Sequence, residues 1–333
     1  MKKSIFTSFY LLIWTISCGQ IKDSAYYKKI SDPSTRIIKL NEGYNIFSQV
    51  IGTGKIKILF LHGGPGNTHE AFEIFKEQLP LDKYQLIFYD QLGSYYSDRP
   101  NDTTVWNIPR FVDEVEQVRQ YYQLDNFYLF GHSWGGLLAM EYALKYPSKL
   151  KGLIISNKSY SQKNLVATRN EITIKIAKDS NCSKQTIDEL KNNELLSDTL
   201  DDDKIQKGFM RGYTIRMDSL PNAMKNYMQH ITIGRFIRYM KDRTNWNIYD
   251  RLRYINTPTL LIGGRHDFVK VSELMQMQKQ IKNSKLYICP NGGHFDYWDD
   301  TKNYFKAFRQ FVEQSKTSKL PLTKGLPQGW RTK

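Results

Sequence analysis

A serine becomes a nucleophile only where a base, a group that orients the base, and donors for a developing oxyanion converge on it. One stretch of the chain prepares such a serine. The apolar run Phe127-Tyr128-Leu129-Phe130 reads as a buried strand, ends in Gly131-His132-Ser133-Trp134-Gly135-Gly136, and passes directly into Leu137 to Leu144, which reads as a helix. Gly-x-Ser-x-Gly between a strand and a helix is the setting of a nucleophile elbow. Such a turn is too tight for side chains near its crossing point, so glycines flank the serine. The hydroxyl is left exposed at a helix N-terminus, where backbone N–H groups favour negative charge. Ser133 is the candidate nucleophile.

The chain has six histidines from which to choose a base. His62 belongs to the glycine-rich loop His62-Gly63-Gly64-Pro65-Gly66 and is suited to holding that loop. His132 is the variable residue of the elbow, and its side chain is expected to point away from the serine. His69 and His230 carry no supporting pattern, and His266 merely precedes an aspartate. His294 follows a strand and the flexible Asn291-Gly292-Gly293, which puts it on a loop at a C-terminal strand end, where sheet active sites gather. Asp267 likewise follows a strand through Gly263-Gly264-Arg265-His266. Ser133, Asp267 and His294 then occur in the chain order of an α/β-hydrolase triad.

The elements that must position these groups can be read around them. Thr35 to Leu40 and Tyr44 to Val50 flank Asn41-Glu42-Gly43 and predict an opening hairpin. Buried-type strands follow at Ile56–Leu61, Tyr84–Tyr89, 127–130, Gly152–Ser156, Thr259–Ile262 and Lys285–Cys289, with helical spacing at Ala71–Leu79, Ile108–Tyr122, Val271–Ile281 and Thr301–Ser315. Alternation at this pitch predicts a mostly parallel sheet covered on both faces. The rhythm stops from 158 to 250, where the chain is polar, with helical stretches at Leu165–Ala177, Lys184–Leu195 and Asn222–Lys241. This segment is expected to be an inserted helical cap. The core is therefore expected at 35–157 and 251–315, with a flexible tail at 316–333. Asp201-Asp202-Asp203 reads as a solvated loop or helix start.

The set His62-Gly63-Gly64-Pro65-Gly66, Asp90-Gln91-Leu92-Gly93, Gly131-His132-Ser133-Trp134-Gly135-Gly136, Gly263-Gly264-Arg265-His266-Asp267 and Gly293-His294 resembles the proline iminopeptidase family of α/β-hydrolases. The similarity runs from about Gly43 to Val312. It implies an oxyanion hole made by the backbone N–H groups of Gly64, with Gly63 beside it, and of Trp134. It also implies hydrolysis of an amide that releases an N-terminal residue, often proline, from short peptides, with no cofactor.

An exopeptidase of this kind must hold a free α-ammonium, which calls for buried carboxylates near the nucleophile. Relatives are expected to carry acidic residues in the cap and sometimes directly after the catalytic aspartate. Here that neighbour is Phe268, and the cap segment Thr232-Ile233-Gly234-Arg235-Phe236-Ile237-Arg238 is basic and apolar. Glu171, Glu189 and Glu194 are the other acids in reach by sequence. Arg235 or Arg238 would instead favour a substrate carboxylate, if they are not exposed helix charges. Tyr95, Tyr96 and Trp134 either line an apolar pocket or pack under the cap. The alternative activity on the same scaffold is that of an esterase, lactonase or amidase.

Composition narrows the rest. Forty per cent hydrophobic and 24% charged residues describe a globular chain, and 333 residues can bury a large core. The net charge of +15 is spread along the whole chain without a nucleic-acid motif, which reads as a solvated basic surface rather than a nucleic-acid binder. With Cys18 in the signal motif, only Cys182 and Cys289 are expected to stay unmodified; two cysteines make no disulfide framework, and no Cys/His spacing resembles a zinc site. Met1-Lys2-Lys3, apolar Ile5 to Ile16 and Ser17-Cys18-Gly19 read as a lipoprotein signal cut after residue 17. The mature chain is then expected to be exported and held at a cell-envelope membrane by a lipid on Cys18, with 18–34 as a linker.

Overall fold

The computed structural model describes residues 24–179, 221–232 and 239–313. Eight strands form one sheet in the order β1-β2-β4-β3-β5-β6-β7-β8. They are β1 (Thr35–Lys39), β2 (Asn45–Ile51), β3 (Ile56–Leu61), β4 (Tyr84–Tyr89), β5 (Phe127–His132), β6 (Leu150–Ser156), β7 (Thr259–Gly264) and β8 (Ser284–Cys289). The predicted hairpin opens the sheet, with Thr35 opposite Gln49 and Gly43 turning at φ +90°. β2 also runs antiparallel to β4, and every pairing from β4 to β8 is parallel.

Strand alternation builds the core on both faces. Leu59, Leu61, Leu129, Leu153, Ile155 and Leu261 pack on one side with α3 (Ile108–Tyr121), α4 (Trp134–Lys145) and α8 (Val271–Gln280). Ile58, Phe60, Phe88, Phe130, Ile154 and Ile262 pack on the other with α2 (Ile74–Gln78) and α10 (Thr301–Glu313). With both faces covered, the central strands are apolar throughout rather than alternating, as the sequence runs require.

Helix α1 (Ser24–Ile30) differs from expectation, because it lies within the stretch read as a linker. Its polar composition hides the contacts that hold it. Lys29 Nζ reaches Glu73 at 2.8 Å, Thr35 Oγ1 donates to the Lys29 carbonyl, and the Tyr26 ring stacks on Tyr96. Between β6 and β7 the described residues form α5 (Gln162–Asp179), α6 (Asn222–Gln229) and α7 (Lys241–Thr244), with one isolated bridge from Ser161 to Asn247. The stretch read as one helix over Asn222–Lys241 is interrupted: α6 ends before His230, and Thr232 leaves it to bond the Gly66 carbonyl. The short α9 (Asp296–Asp299) follows His294. The helix expected at 184–195, Glu189, Glu194, the run 201–203, Arg235, Arg238, Cys18 and the 316–333 tail lie outside the described residues.

The chain enters the middle of the sheet at β3, turns one way to β4 and the other way to β5. That reversal opens a crevice at the C-terminal ends of β3 and β5, the place where open α/β sheets bind ligands. The loop from His62 and the turn at Ser133 leave the sheet at those two ends.

Candidate active site

Ser133 sits between β5 and α4 at φ +53° and ψ −117°, a backbone conformation that a side-chain-bearing residue adopts only when its surroundings impose it. The surroundings do so. A Cβ on Gly135 would lie 2.1 Å from the Leu61 carbonyl oxygen, and one on Gly131 would lie 2.3 Å from that of Gly135. Strand, turn and helix thus touch backbone to backbone. Ser133 N–H donates to the Ser156 carbonyl at 2.9 Å, which ties the turn to the end of β6. The side chain is half-buried.

His294 Nδ1 and Asp267 Oδ1 are 2.9 Å apart, with both side chains withdrawn from solvent. Their loops are zipped together by His266 N–H to the Gly292 carbonyl and Arg265 N–H to the Cys289 carbonyl. Gly264 lets them close, since a Cβ there would meet the Gly293 and Gly292 carbonyl oxygens at 2.2 and 2.3 Å. Asp299 Oδ2 accepts from Gly293 N–H and Asp300 Oδ2 from Asn291 N–H, so the His294 loop is held from behind as well. Phe268 stacks on the His294 ring at 4.2 Å. The His294 ring centroid lies 4.8 Å from that of His132, the residue before Ser133. The structure therefore brings the elbow, Asp267 and His294 to one place. His266, by contrast, is exposed.

The loop after β3 lies against the elbow. A Cβ on Gly63 would be 3.3 Å from the Ser133 Cβ, and Gly64 adopts φ +113°. His62 holds this loop as anticipated. Its Nε2 accepts from Gln91 N–H at 2.9 Å, so its Nδ1 carries the proton and donates to the Gly63 carbonyl at 2.8 Å. Burial pushes the His62 imidazole down to about 4, which keeps it neutral and able to do both. Gln91 also donates to the His62 carbonyl and accepts from the Trp134 indole N–H at 2.7 Å. The glycine loop, the Asp90-Gln91 loop and the elbow are one hydrogen-bonded unit. Trp134 opens α4, where the first N–H groups of a helix have no carbonyl partner in a preceding turn. Its indole is buried against Phe111.

His132 is also held neutral, pushed far below the usual range chiefly by burial. His69, which sequence left unassigned, is buried and paired with Asp90 Oδ1 at 2.8 Å. Three further features had no pattern to reveal them. Asn157, buried at the end of β6, donates from Nδ2 to Asp267 Oδ2 at 2.9 Å and to the Gly293 carbonyl at 3.0 Å. Glu70 is a buried carboxylate that accepts from Thr68 Oγ1, Tyr96 OH and His230 Nδ1 at 2.8, 2.9 and 2.7 Å. Those partners make Glu70 and His230 a pin between the β3 loop and α6. Thr232 adds a second pin, its hydroxyl lying 2.7 Å from the Gly66 carbonyl and 2.9 Å from that of Gly93. Tyr95 stacks on His230 at 4.0 Å, so the two tyrosines pack under this segment. Glu171 is exposed and near Lys270. The described residues hold no group of His, Cys, Asp and Glu arranged to take a metal ion.

Comparison with known proteins identifies the family and the fold. Residues 57–301 match the family described as alpha/beta hydrolase fold. The proline iminopeptidase of Flavobacterium johnsoniae is 35% identical over 292 residues, which span 83% of this chain and 96% of that protein. The proline iminopeptidase of Elizabethkingia meningoseptica is 34% identical over 287 residues, 82% of this chain and 95% of its own. The crystal structure of a proline iminopeptidase from Mycobacterium smegmatis shares the fold, with a TM-score of 0.71 at 20% identity over 85% of this chain and 98% of its own.

Proposed function

The chain belongs to the proline iminopeptidase family of α/β-hydrolases, and from that premise we propose that it is a serine aminopeptidase with Ser133, His294 and Asp267 as its triad. Its substrates are short peptides from which it releases the N-terminal residue, proline foremost. The observation that carries the reading is the 2.9 Å His294–Asp267 pair, with the His294 ring 4.8 Å from that of His132 in the strained elbow that holds Ser133.

The steps follow from the groups present. Asp267 accepts a hydrogen bond from His294 Nδ1–H, which fixes the proton on Nδ1 and leaves Nε2 as the basic nitrogen. His294 takes the hydroxyl proton while Ser133 Oγ attacks the substrate carbonyl carbon. The oxygen of that carbonyl becomes an oxyanion, for which Gly64 and Trp134 supply backbone N–H groups, each worth roughly 3 kcal/mol of barrier in a dry site. His294 then hands its proton to the leaving amine, the C–N bond breaks, and the acyl group stays on Ser133. Water attacks the acyl-enzyme by the same proton path and releases the N-terminal amino acid. The neutral state of His132, whose ring lies 4.8 Å from that of His294, supports His294 as the base, because it adds no positive charge beside it.

Ser133→Ala should abolish turnover of both a proline arylamide and a simple ester. Retention of wild-type rates would remove Ser133 from the mechanism. Comparing kcat/KM for a free-amine proline arylamide with its N-acetylated form tests the aminopeptidase reading. A strong preference for the free amine is expected, since the ammonium then carries binding energy. Equal rates would favour a general amidase or esterase.

We also propose that the protein is exported and anchored by a lipid on Cys18, on the support of Lys2-Lys3, the apolar run to Ile16 and Ser17-Cys18-Gly19. Among the described residues no helix is long and apolar enough to cross a membrane. Cys18→Ala should move the protein out of the membrane fraction or leave it uncleaved, and unchanged fractionation would refute the anchor.

A further inference from the structure

We propose that Asn157 is a positioning residue of the triad: its one side-chain amide holds the carboxylate of Asp267 and the backbone of the His294 loop in register with each other. This rests on the triad assignment but not on the identity of the substrate.

The orientation of the amide is dictated by what surrounds it. On one side stand Asp267 Oδ2 at 2.9 Å and the Gly293 carbonyl at 3.0 Å, two acceptors that only the –NH2 end can satisfy. On the other side Ser156 Oγ donates to Asn157 Oδ1 at 3.0 Å, and that hydroxyl lies 3.4 Å from Tyr304 OH of α10. A flipped amide would set oxygen against a carboxylate and a carbonyl, so the assignment does not depend on reading nitrogen from oxygen. The backbone is fixed as firmly. Asn157 N–H donates to the Ile262 carbonyl of β7, and the residue sits at φ +53°, where asparagine is tolerated far better than a branched side chain.

The consequence is geometric. Asp267 presents Oδ1 to His294 and Oδ2 to Asn157, so the carboxylate is gripped at both oxygens and cannot rotate away from the imidazole. The second N–H of the amide binds Gly293, the residue before His294. β6, β7 and the loop after β8 thus meet at one side chain. A third member of this junction is the turn itself, because Ser133 N–H is bonded to the carbonyl of Ser156, the neighbour of Asn157.

The test uses Asn157→Gly and Asn157→Asp in the full chain, assayed on a proline arylamide and on a simple ester across pH. Glycine keeps the positive-φ backbone and deletes the amide. Aspartate keeps the size and puts an acceptor where the donor was. Asn157→Gly is expected to lower kcat/KM roughly 10- to 100-fold, the scale of a lost hydrogen bond to a charged group, mostly through kcat. Asn157→Asp is expected to move the acid limb of the kcat/KM profile to higher pH by about one unit. Two facing carboxylates either share a proton that must leave before Asp267 can act, or add negative charge that favours the imidazolium. Both displace the limb in the same direction.

Among the described residues, the other titratable or charged groups around the dyad are His132 of β5, Asp296 and Asp299 of α9, and Arg169 of α5 over the Phe268 ring. All are common to wild type and variants, so the difference reads Asn157. A shift seen on the ester but no activity on the proline arylamide would uphold Asn157 and sink the aminopeptidase reading. Variants with wild-type rates and an unmoved acid limb would overturn the proposal. So would a lowered Tm with the limb unmoved, or failure of both variants to fold, since either assigns Asn157 to stability alone.

Discussion

Lys158 follows Asn157 beyond the C-terminal end of β6 and is only 2% exposed. Its ammonium carries three N–H groups, and one described acceptor serves them, Gln162 Oε1 at 3.0 Å, with the Trp246 ring 5.1 Å away. Burial first, and then the neighbouring charge of Arg243, push it down to about 7. A tenfold change in proton affinity corresponds to about 1.36 kcal/mol, so the fall from 10.5 to about 7 sets a ceiling of about 5 kcal/mol on the cost of keeping this lysine charged in the fold.

The sign follows from where the proton binds more tightly. Between pH 7 and 10.5 the unfolded chain holds more protons on this group than the folded chain does, so its contribution makes stability rise with pH across that window. Below pH 7 both states are charged and the full cost is present. Lys158→Met removes the cost but leaves Gln162 Oε1 without its donor and gives up the contact with Trp246, together roughly 1–3 kcal/mol. The variant should therefore be more stable than wild type at pH 6, by at most roughly 2–4 kcal/mol, and the gap should close or reverse by pH 10.5. Urea unfolding of both proteins at pH 6, 8 and 10.5 measures it. A gap of the same size at every pH, or a variant destabilised at pH 6, would mean that the lysine is not desolvated as described.

Other substitutions probe the site. Asp267→Asn should leave KM nearly unchanged and lower kcat by about 10⁴, because the amide no longer fixes the Nδ1–H tautomer of His294; steady-state kinetics decides, and a loss under tenfold would argue against the pair. Gly135→Ala should destabilise the protein by about 3 kcal/mol in urea unfolding, since its methyl group would press on the Leu61 carbonyl oxygen; wild-type stability and activity would show that the elbow has slack. Thr232→Val removes the hydroxyl shared by the Gly66 and Gly93 carbonyls while keeping the backbone bond, and kcat should fall about tenfold if that pin holds the oxyanion loop. An unchanged kcat would make the contact incidental.

Some of these features are legible in the amino-acid order and others are not, for a common reason. Gly131 to Gly136 could be read because strand, turn and helix are adjacent and each leaves a local pattern. The same holds for Asp267 and His294, each following an apolar run and a glycine pair. Helix α1 was hidden because it is too polar to show a face, and it is ordered by partners at positions 73 and 96. Glu70 and His230 are separated by 160 residues, and neither has neighbours that announce the other. Tyr96 and Trp134 offered a pocket or a packing role, and only their hydrogen bonds to Glu70 and Gln91 show them packing.

The sequence by itself determined the sheet, the identity and order of the candidate triad residues, and the glycine loop beside them, because each depends on short-range periodicity and turn chemistry. Tertiary structure decided which groups steady that machinery. Asn157 was merely the residue after a strand until Asp267, 110 positions away, and Gly293, 136 positions away, arrived at its amide. A buried polar group is defined by the partners that replace water around it, and those partners come from distant parts of the chain.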